Sequence, residues 1–230
     1  MTGTDADAAM IAVDTADHTA VHRGDARRMP IANRPMARLG GALAVLASVA
    51  LTGCLGLSAK APSQLISLAP QTSAQAGPAT TATIADAIIV LDPEADRSLD
   101  VLRVPVRVNA ATIAYLKDIA WVEKPSRQFR SLLSETLRTR TQRLVVEGGD
   151  FDAAGRTTVT GRLLALGYDA PSQSVVMRID VQRHDKGGAI LSRRFEASVP
   201  GVQPKAAPVA AALGQVANDV AGQVAVWITG

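Results

Sequence analysis

The chain has 230 residues, a net charge of +3 and only 3% aromatic residues. That length suits one compact domain with a targeting segment beside it. The basic residues are scattered and have no aromatic platforms between them, which argues against a nucleic-acid partner, and so few rings argue against carbohydrate binding.

Residues 1–35 are rich in Ala, Asp, Thr, His and Arg and hold no aromatic residue. This is the composition of a disordered stretch. Met1, Met29 and Met36 all stand as candidate starts. His18 and His22 lie four apart, but a metal site needs more ligands and a fold to hold them.

Residues 39–51 carry no charge and follow Arg34 and Arg38. A positive segment, an apolar run and the small residues Thr52 and Gly53 make a secretory signal pattern. Leu51, Thr52, Gly53 and Cys54 then read as a lipobox. Cys54, the only cysteine, becomes the lipid attachment site (S-diacylglycerol and N-palmitoyl) and the first mature residue. Two alternatives stand beside this. The uncharged window between Arg38 and Lys60, about 20 residues, is long enough to span a bilayer, although Gly, Ser and Thr dilute it. Cys54 could also be a buried thiol. On the lipobox reading, residues 1–53 are extension and signal peptide, 54–63 a lipidated tether, and 64–230 the domain. The segment before Cys54 holds five Arg and five Asp, so the net charge stays +3 without it.

Residues 64–68 form a short apolar run suited to an edge strand. Residues 69–87 lack bulk and read as a linker or long loop: either a periplasmic spacer or a surface loop. Residues 87–91 form a buried-type strand closed by Asp92-Pro93. Residues 99–108 alternate, with Leu102, Val104, Val106 and Val108 on one side and Arg103 and Arg107 on the other. Pro105 makes this an edge or bulged strand. A further short strand begins at 112–116.

Pro125-Ser126 is a helix start, and Phe129, Leu132, Leu133 and Leu137 follow helical spacing. Arg127, Arg130, Arg138 and Arg140 lie elsewhere around that helix, as a solvated face or a contact for anionic lipid. Residues 144–146 form another strand, broken by Gly148-Gly149.

Residues 157–168 form a strand with Val159, Gly161, Leu163 and Ala165 on one face and Leu164, Leu166 and Tyr168 on the other. Asp169-Ala170-Pro171-Ser172 turns the chain. Residues 174–183 alternate, with Val175, Met177, Ile179 and Val181 against Ser174, Arg178, Asp180 and Gln182. Asp185-Lys186-Gly187-Gly188 is a hairpin turn, and 189–199 completes a three-strand meander with Leu191, Phe195 and Val199 at one parity. In the last segment Val209, Leu213, Val216, Val220, Val224 and Trp227 make a long apolar stripe. Ala and Gly alongside it permit close packing. The fold class is α+β: a mixed, largely antiparallel sheet with two main helices packed against it, preceded by the lipoprotein signal peptide.

Catalytic signatures are lacking. There is no phosphate-binding loop, no HExxH and no GxSxG. His184 is the only histidine after the lipobox. Asp180 and Glu196 could pair across strands, but carboxylates on exposed strand faces pair with neighbours such as Arg178 or Arg194. The chain reads as an interaction protein, with no enzyme activity, cofactor or metal.

The ordered features resemble the ABC-type transport auxiliary lipoprotein family. They are the lipobox, Ile88-Ile89-Val90, the run 102–108, Ile113-Ala114-Tyr115, Trp121, Leu132-Leu133, Gly161-Arg162-Leu163, Arg193-Arg194-Phe195 and Trp227-Ile228. The family often has tyrosine near 64–68, where this chain has Leu65 and Ile66. The resemblance implies a periplasm-facing lipoprotein that works with a permease, an ATPase and an MCE-type protein. Such systems move phospholipids or other hydrophobic molecules across the envelope. It also implies a membrane partner through the lipid anchor and a homo-oligomeric ring as one form of assembly. Leu55 after Cys54, with no Asp there, implies sorting to the outer membrane, with the periplasmic face of the inner membrane as the alternative.

Overall fold

The computed structural model describes residues 62–77, 81–141, 143–148 and 156–230. The lipobox, Cys54 and the signal segment lie outside the described residues, as do His18 and His22.

Among the described residues the strands are β1 (Gln64–Ile66), β2 (Ile88–Val90), β3 (Glu94–Ala95), β4 (Arg103–Arg107), β5 (Ile113–Trp121), β6 (Val145–Glu147), β7 (Thr157–Asp169), β8 (Ser174–His184) and β9 (Ile190–Val199). Helix α1 is Pro125–Arg140 and helix α2 is Ala206–Thr229. Together they make one mixed sheet with two helices, an α+β fold.

The spine is β7. One edge pairs along its length with β8, and β8 pairs with β9, both antiparallel. The other edge takes three short parallel partners in succession: β2 at Thr157–Val159, β3 at Arg162–Leu163 and β4 at Tyr168–Asp169. Beyond β2 lies β6, and beyond β4 lie β5 and then β1. The long ladders are antiparallel and the short ones parallel. Helix α1 carries the chain from β5 to β6 at the far side of the sheet.

Pro125 sits in the first turn of α1, where its missing N–H costs nothing. Arg138 and Arg140 in the last turn oppose the negative end of the helix dipole. Phe129, Leu132, Leu133 and Leu137 are all buried, as their spacing predicts. In α2, Val209, Leu213, Val216, Val220 and Val224 are fully buried, and so are Ala217, Ala221 and Ala225. The alanines bring α2 close to α1 and to the inner face of β8 and β9. Trp227 is only partly buried and tilts against Phe195 at 5.6 Å. Arg183 donates to Trp227 O at 3.2 Å and Ile228 O at 3.4 Å, closing the C-terminus of α2.

Residues 67–77 have no regular structure, but side chains of both helices fasten them. Gln128 accepts from Leu68 N, Glu135 from Ala74 N, and Asn218 bonds Gln71 N and Ala69 O. The described part of the predicted linker is therefore a surface loop fixed to the domain.

The structure corrects the strand assignments in three places. First, of the four apolar residues assigned to one face of 99–108, Val104 is buried, Val106 half-buried, and Leu102 and Val108 exposed. The regular strand is only Arg103–Arg107, and its register slips between Arg103 and Pro105. Pro105 thus marks a bulge, while β4 is paired on both sides. Second, β5 runs on through Lys117-Asp118 to Trp121. Asp118 takes φ 61°, a left-handed kink that the strand absorbs. Third, Leu166 and Tyr168 are buried together with Val159 and Leu163 rather than opposite them. The β7/β8 register shifts between Leu163 and Ala165, and this one extra residue reverses the parity of everything after it.

Candidate functional site

Helix α2 covers the inner face of β8 and β9, and among the described residues no helix lies on the other face of the meander. Val176, Arg178 and Asp180 point there from β8, and Arg194, Glu196 and Ser198 from β9. Paired residues across antiparallel strands share a face, and the register sets Arg178 opposite Glu196 and Asp180 opposite both Arg194 and Arg162. The charges therefore alternate across three strands. Arg194 holds Asp180 through two nitrogens at 2.7 and 2.8 Å, Arg178 is bonded to Glu196, and Arg162 reaches Asp96 at 2.7 Å. The guanidinium of Arg194 holds the Asp180 carboxyl below the usual range, and Arg178 does the same for Glu196. These carboxylates are matched pairs on a solvated face, as the strand pattern implied.

At the end of this face, where β4 meets β7, lies a half-open groove of about 570 Å³. Leu99, Pro105, Ile113, Leu164 and Val176 give it apolar walls, and Arg178, Glu196 and Ser198 form part of its rim. Gly167 forms part of its floor. A Cβ there would stand 2.3 Å from Pro105 O, so only glycine lets β4 approach this closely.

Asp169 closes the groove. Its side chain is 8% exposed and meets Arg107 at 2.5 Å. Ser172 Oγ donates to its other oxygen and lies 2.7 Å from Ser174 Oγ. Burial pushes the Asp169 carboxyl up, but bonds from Ser172 and Arg107 outweigh it and hold the group below the usual carboxylate range. The result is a fixed dipolar wall beside an apolar trough, fitted for binding. A serine and an aspartate meet here, but His184 sits ten positions along β8 from Ser174, roughly 33 Å away at strand rise. Among the described residues no Ser-His-Asp relay is assembled.

Other residues singled out in the sequence are accounted for separately. Three of the four helix arginines are committed to carboxylates: Arg127 to Glu123, Arg130 to Asp92 at 2.8 Å, and Arg138 to Glu147 at 3.0 Å. That face of α1 is ion-paired and solvated. Among the described residues, no group of three or more His, Cys, Asp or Glu is placed to hold a metal, and no helix is long and apolar enough to cross a membrane. The sequence reading missed the groove, because Asp169 and Ser172 look like turn residues. The available signal was Gly167 inside a strand, which marks a close backbone approach.

The fold is similar to two solved structures. One is protein XCC0632 from Xanthomonas campestris, of the DUF330 family, with 17% identity, TM-score 0.54, and 73% of this chain and 92% of that one covered. The other is an uncharacterized protein at 12% identity and TM-score 0.57, covering 71% of this chain and 97% of that one. Among curated proteins, none matches the sequence. A family model described as the ABC-type transport auxiliary lipoprotein component matches residues 66–225, from β1 to the last turns of α2. The chain therefore belongs to the ABC-type transport auxiliary lipoprotein family.

Proposed function

We propose that this protein is a lipid-anchored, periplasm-facing docking component of an MCE-type ABC transporter that moves phospholipids or other hydrophobic molecules across the envelope. The family match over residues 66–225 supports this reading most directly. Cys54 carries the anchor, with Leu51, Thr52 and Gly53 as the rest of the lipobox, residues 1–53 removed and 54–63 as tether. Acyl chains contribute about 0.8 kcal/mol per buried methylene, so several together anchor stably. The ten residues Cys54–Ser63 reach at most about 35 Å when extended. That holds the domain near the bilayer and raises the local concentration of its partner site. Leu55 after the anchor directs the protein to the outer membrane. The helix-free face, with its groove and fixed charges, is the surface offered to the MCE protein or permease. Assembly of several copies belongs to the same reading.

The deciding experiment is mild crosslinking in cells followed by purification of the full chain. Recovery of an MCE protein, permease and ATPase is expected. Recovery of a β-barrel without any of them would refute the reading and favour an outer-membrane assembly lipoprotein. A lipid-carrier role would call for an enclosed apolar cavity, whereas the groove is an open trough. Native mass spectrometry finding tightly bound lipid would favour the carrier instead.

A further inference from the structure

We propose that the outer edge of β9 pairs antiparallel with the same edge of a second copy, centred on Phe195. The inference stands on the sheet alone and does not depend on the transport reading. Among the described residues β9 pairs only with β8, which leaves a ten-residue strand with an open edge, whereas the edge strands β1 and β6 have three residues each. A long edge strand is a template for another chain unless it is blocked. Residues 190–194 are all exposed, and Ile190 is 62% exposed. The charges that would protect this edge are already satisfied within the molecule: Arg194 binds Asp180, and Arg193 stacks over Phe195 at 5.1 Å.

The pattern of side chains selects the partner and the register. A two-fold axis through Phe195 sets Arg194 opposite the partner's Glu196 and Glu196 opposite the partner's Arg194. It also sets Ser192 opposite the partner's Ser198 on the helix-free face, and Leu191 opposite the partner's Val199 on the helix side. Sliding one step either way sets Arg194 against Arg194 or Glu196 against Glu196, and like charges directly opposite are destabilising. In the favoured register the row Arg162–Asp180–Arg194 continues through the partner's Glu196 to its Arg178, with signs alternating throughout. Such a complementary pattern fits a copy of this chain. One contact must yield: Gln223 Nε2 bonds Glu196 O at 3.3 Å, long enough to be released readily. The interface is self-complementary, the same edge of two copies related by a two-fold axis.

The test uses the full chain in detergent, with light scattering for mass and oxidative crosslinking for register. Ser192 and Ser198 are exposed, so cysteines there leave the core untouched. The S192C/S198C double variant should give a disulfide-linked dimer in high yield. S192C alone, S198C alone and the parent chain should stay at background. E196R should weaken the dimer at least tenfold while its circular dichroism stays that of the parent. A monomeric mass at tens of micromolar overturns the proposal. So does an assembly of any size in which the double variant crosslinks no better than the single ones.

Discussion

Gly167→Ala tests whether β4 truly crosses β7 as closely as the groove floor requires. The added Cβ would lie 2.3 Å from Pro105 O and 3.2 Å from Pro105 C, where real Cβ contacts essentially never fall under 3.0 Å. The obstacle is backbone held in the sheet, so β4 must move by most of an ångström. Overpacking of this kind costs about 1–3 kcal/mol. The upper end applies here because the ladder to Tyr168 and Asp169 must shift with it. Relief of glycine entropy returns roughly 0.5 kcal/mol, leaving a loss of about 2–3 kcal/mol. Two further glycines calibrate the result. Gly161→Ala meets Asp180 O at 2.8 Å, a much smaller overlap, and should cost roughly 1 kcal/mol. Gly214→Ala, in α2 with nothing within 4 Å, should stabilise by about 0.5–1 kcal/mol. Urea unfolding of the full chain in detergent reads all three. With m near 2 kcal/mol/M, G167A should lower the midpoint by roughly 1 M. An unchanged midpoint for G167A, or the same effect for G167A and G214A, would refute the close crossing.

Three further predictions follow from other parts of the molecule. Arg183→Ala removes the bonds to Trp227 O and Ile228 O together with the Asp185 pair; it should cost about 1–2 kcal/mol and shift Trp227 fluorescence, and unchanged stability would show the helix end to be closed by other means. Asp169→Asn should cost about 1–2 kcal/mol at neutral pH. Because the folded Asp169 carboxyl is held below its ordinary value, its stabilisation is present above the unfolded pKa of about 3.9 and is lost as pH falls through the lower folded value. The gap between parent and D169N urea midpoints should therefore shrink between pH 7 and pH 3, and a constant gap would refute the charged role. Cys54→Ala should leave the domain folded but abolish lipid attachment and signal peptidase II processing, read as a mass and mobility change; normal lipidation of the variant would place the anchor elsewhere.

The elements most legible in the sequence were those whose stabilising contacts lie at fixed short spacing. The stripes of α1 and α2, and the alternation of β8, map directly onto buried faces because each repeat answers one neighbouring layer. The alternating pairs Arg178–Glu196 and Asp180–Arg194 were legible for the same reason once the hairpin turn set the register. Less legible was whatever depended on partners distant in sequence. Nothing local in Ile88–Val90, Glu94–Ala95 and Arg103–Arg107 says that the three segments line up along one edge of β7. Lys117-Asp118 looks like a turn, but β5 runs through it between residues paired with β4 on one side and with β1 and β4 on the other.

The most instructive miss lies in β7, where the extra residue between Leu163 and Ala165 defeats a period-two reading. Its consequence is functional as well as topological. Before the shift, Val159 and Leu163 face the core; after it, Leu166 and Tyr168 do. Without the extra residue, Leu166 and Tyr168 would turn outward onto the helix-free face, and Gly167 and Asp169 would turn inward. An uncompensated carboxylate under α2 would then replace the Arg107–Asp169 pair, and β4 could not cross at Gly167. The bulge thus keeps the core apolar and at the same time presents glycine and a fixed charge to the groove. Deleting Leu164, whose place in the strand carries the shift, should therefore be far worse than truncating it. Leu164→Ala should alter only the groove wall, whereas the deletion should prevent β4 and β8 from pairing with the same strand and abolish cooperative unfolding. A deletion variant that unfolds with the parent's midpoint and slope would show that the parity shift does not hold the two halves of β7 in place.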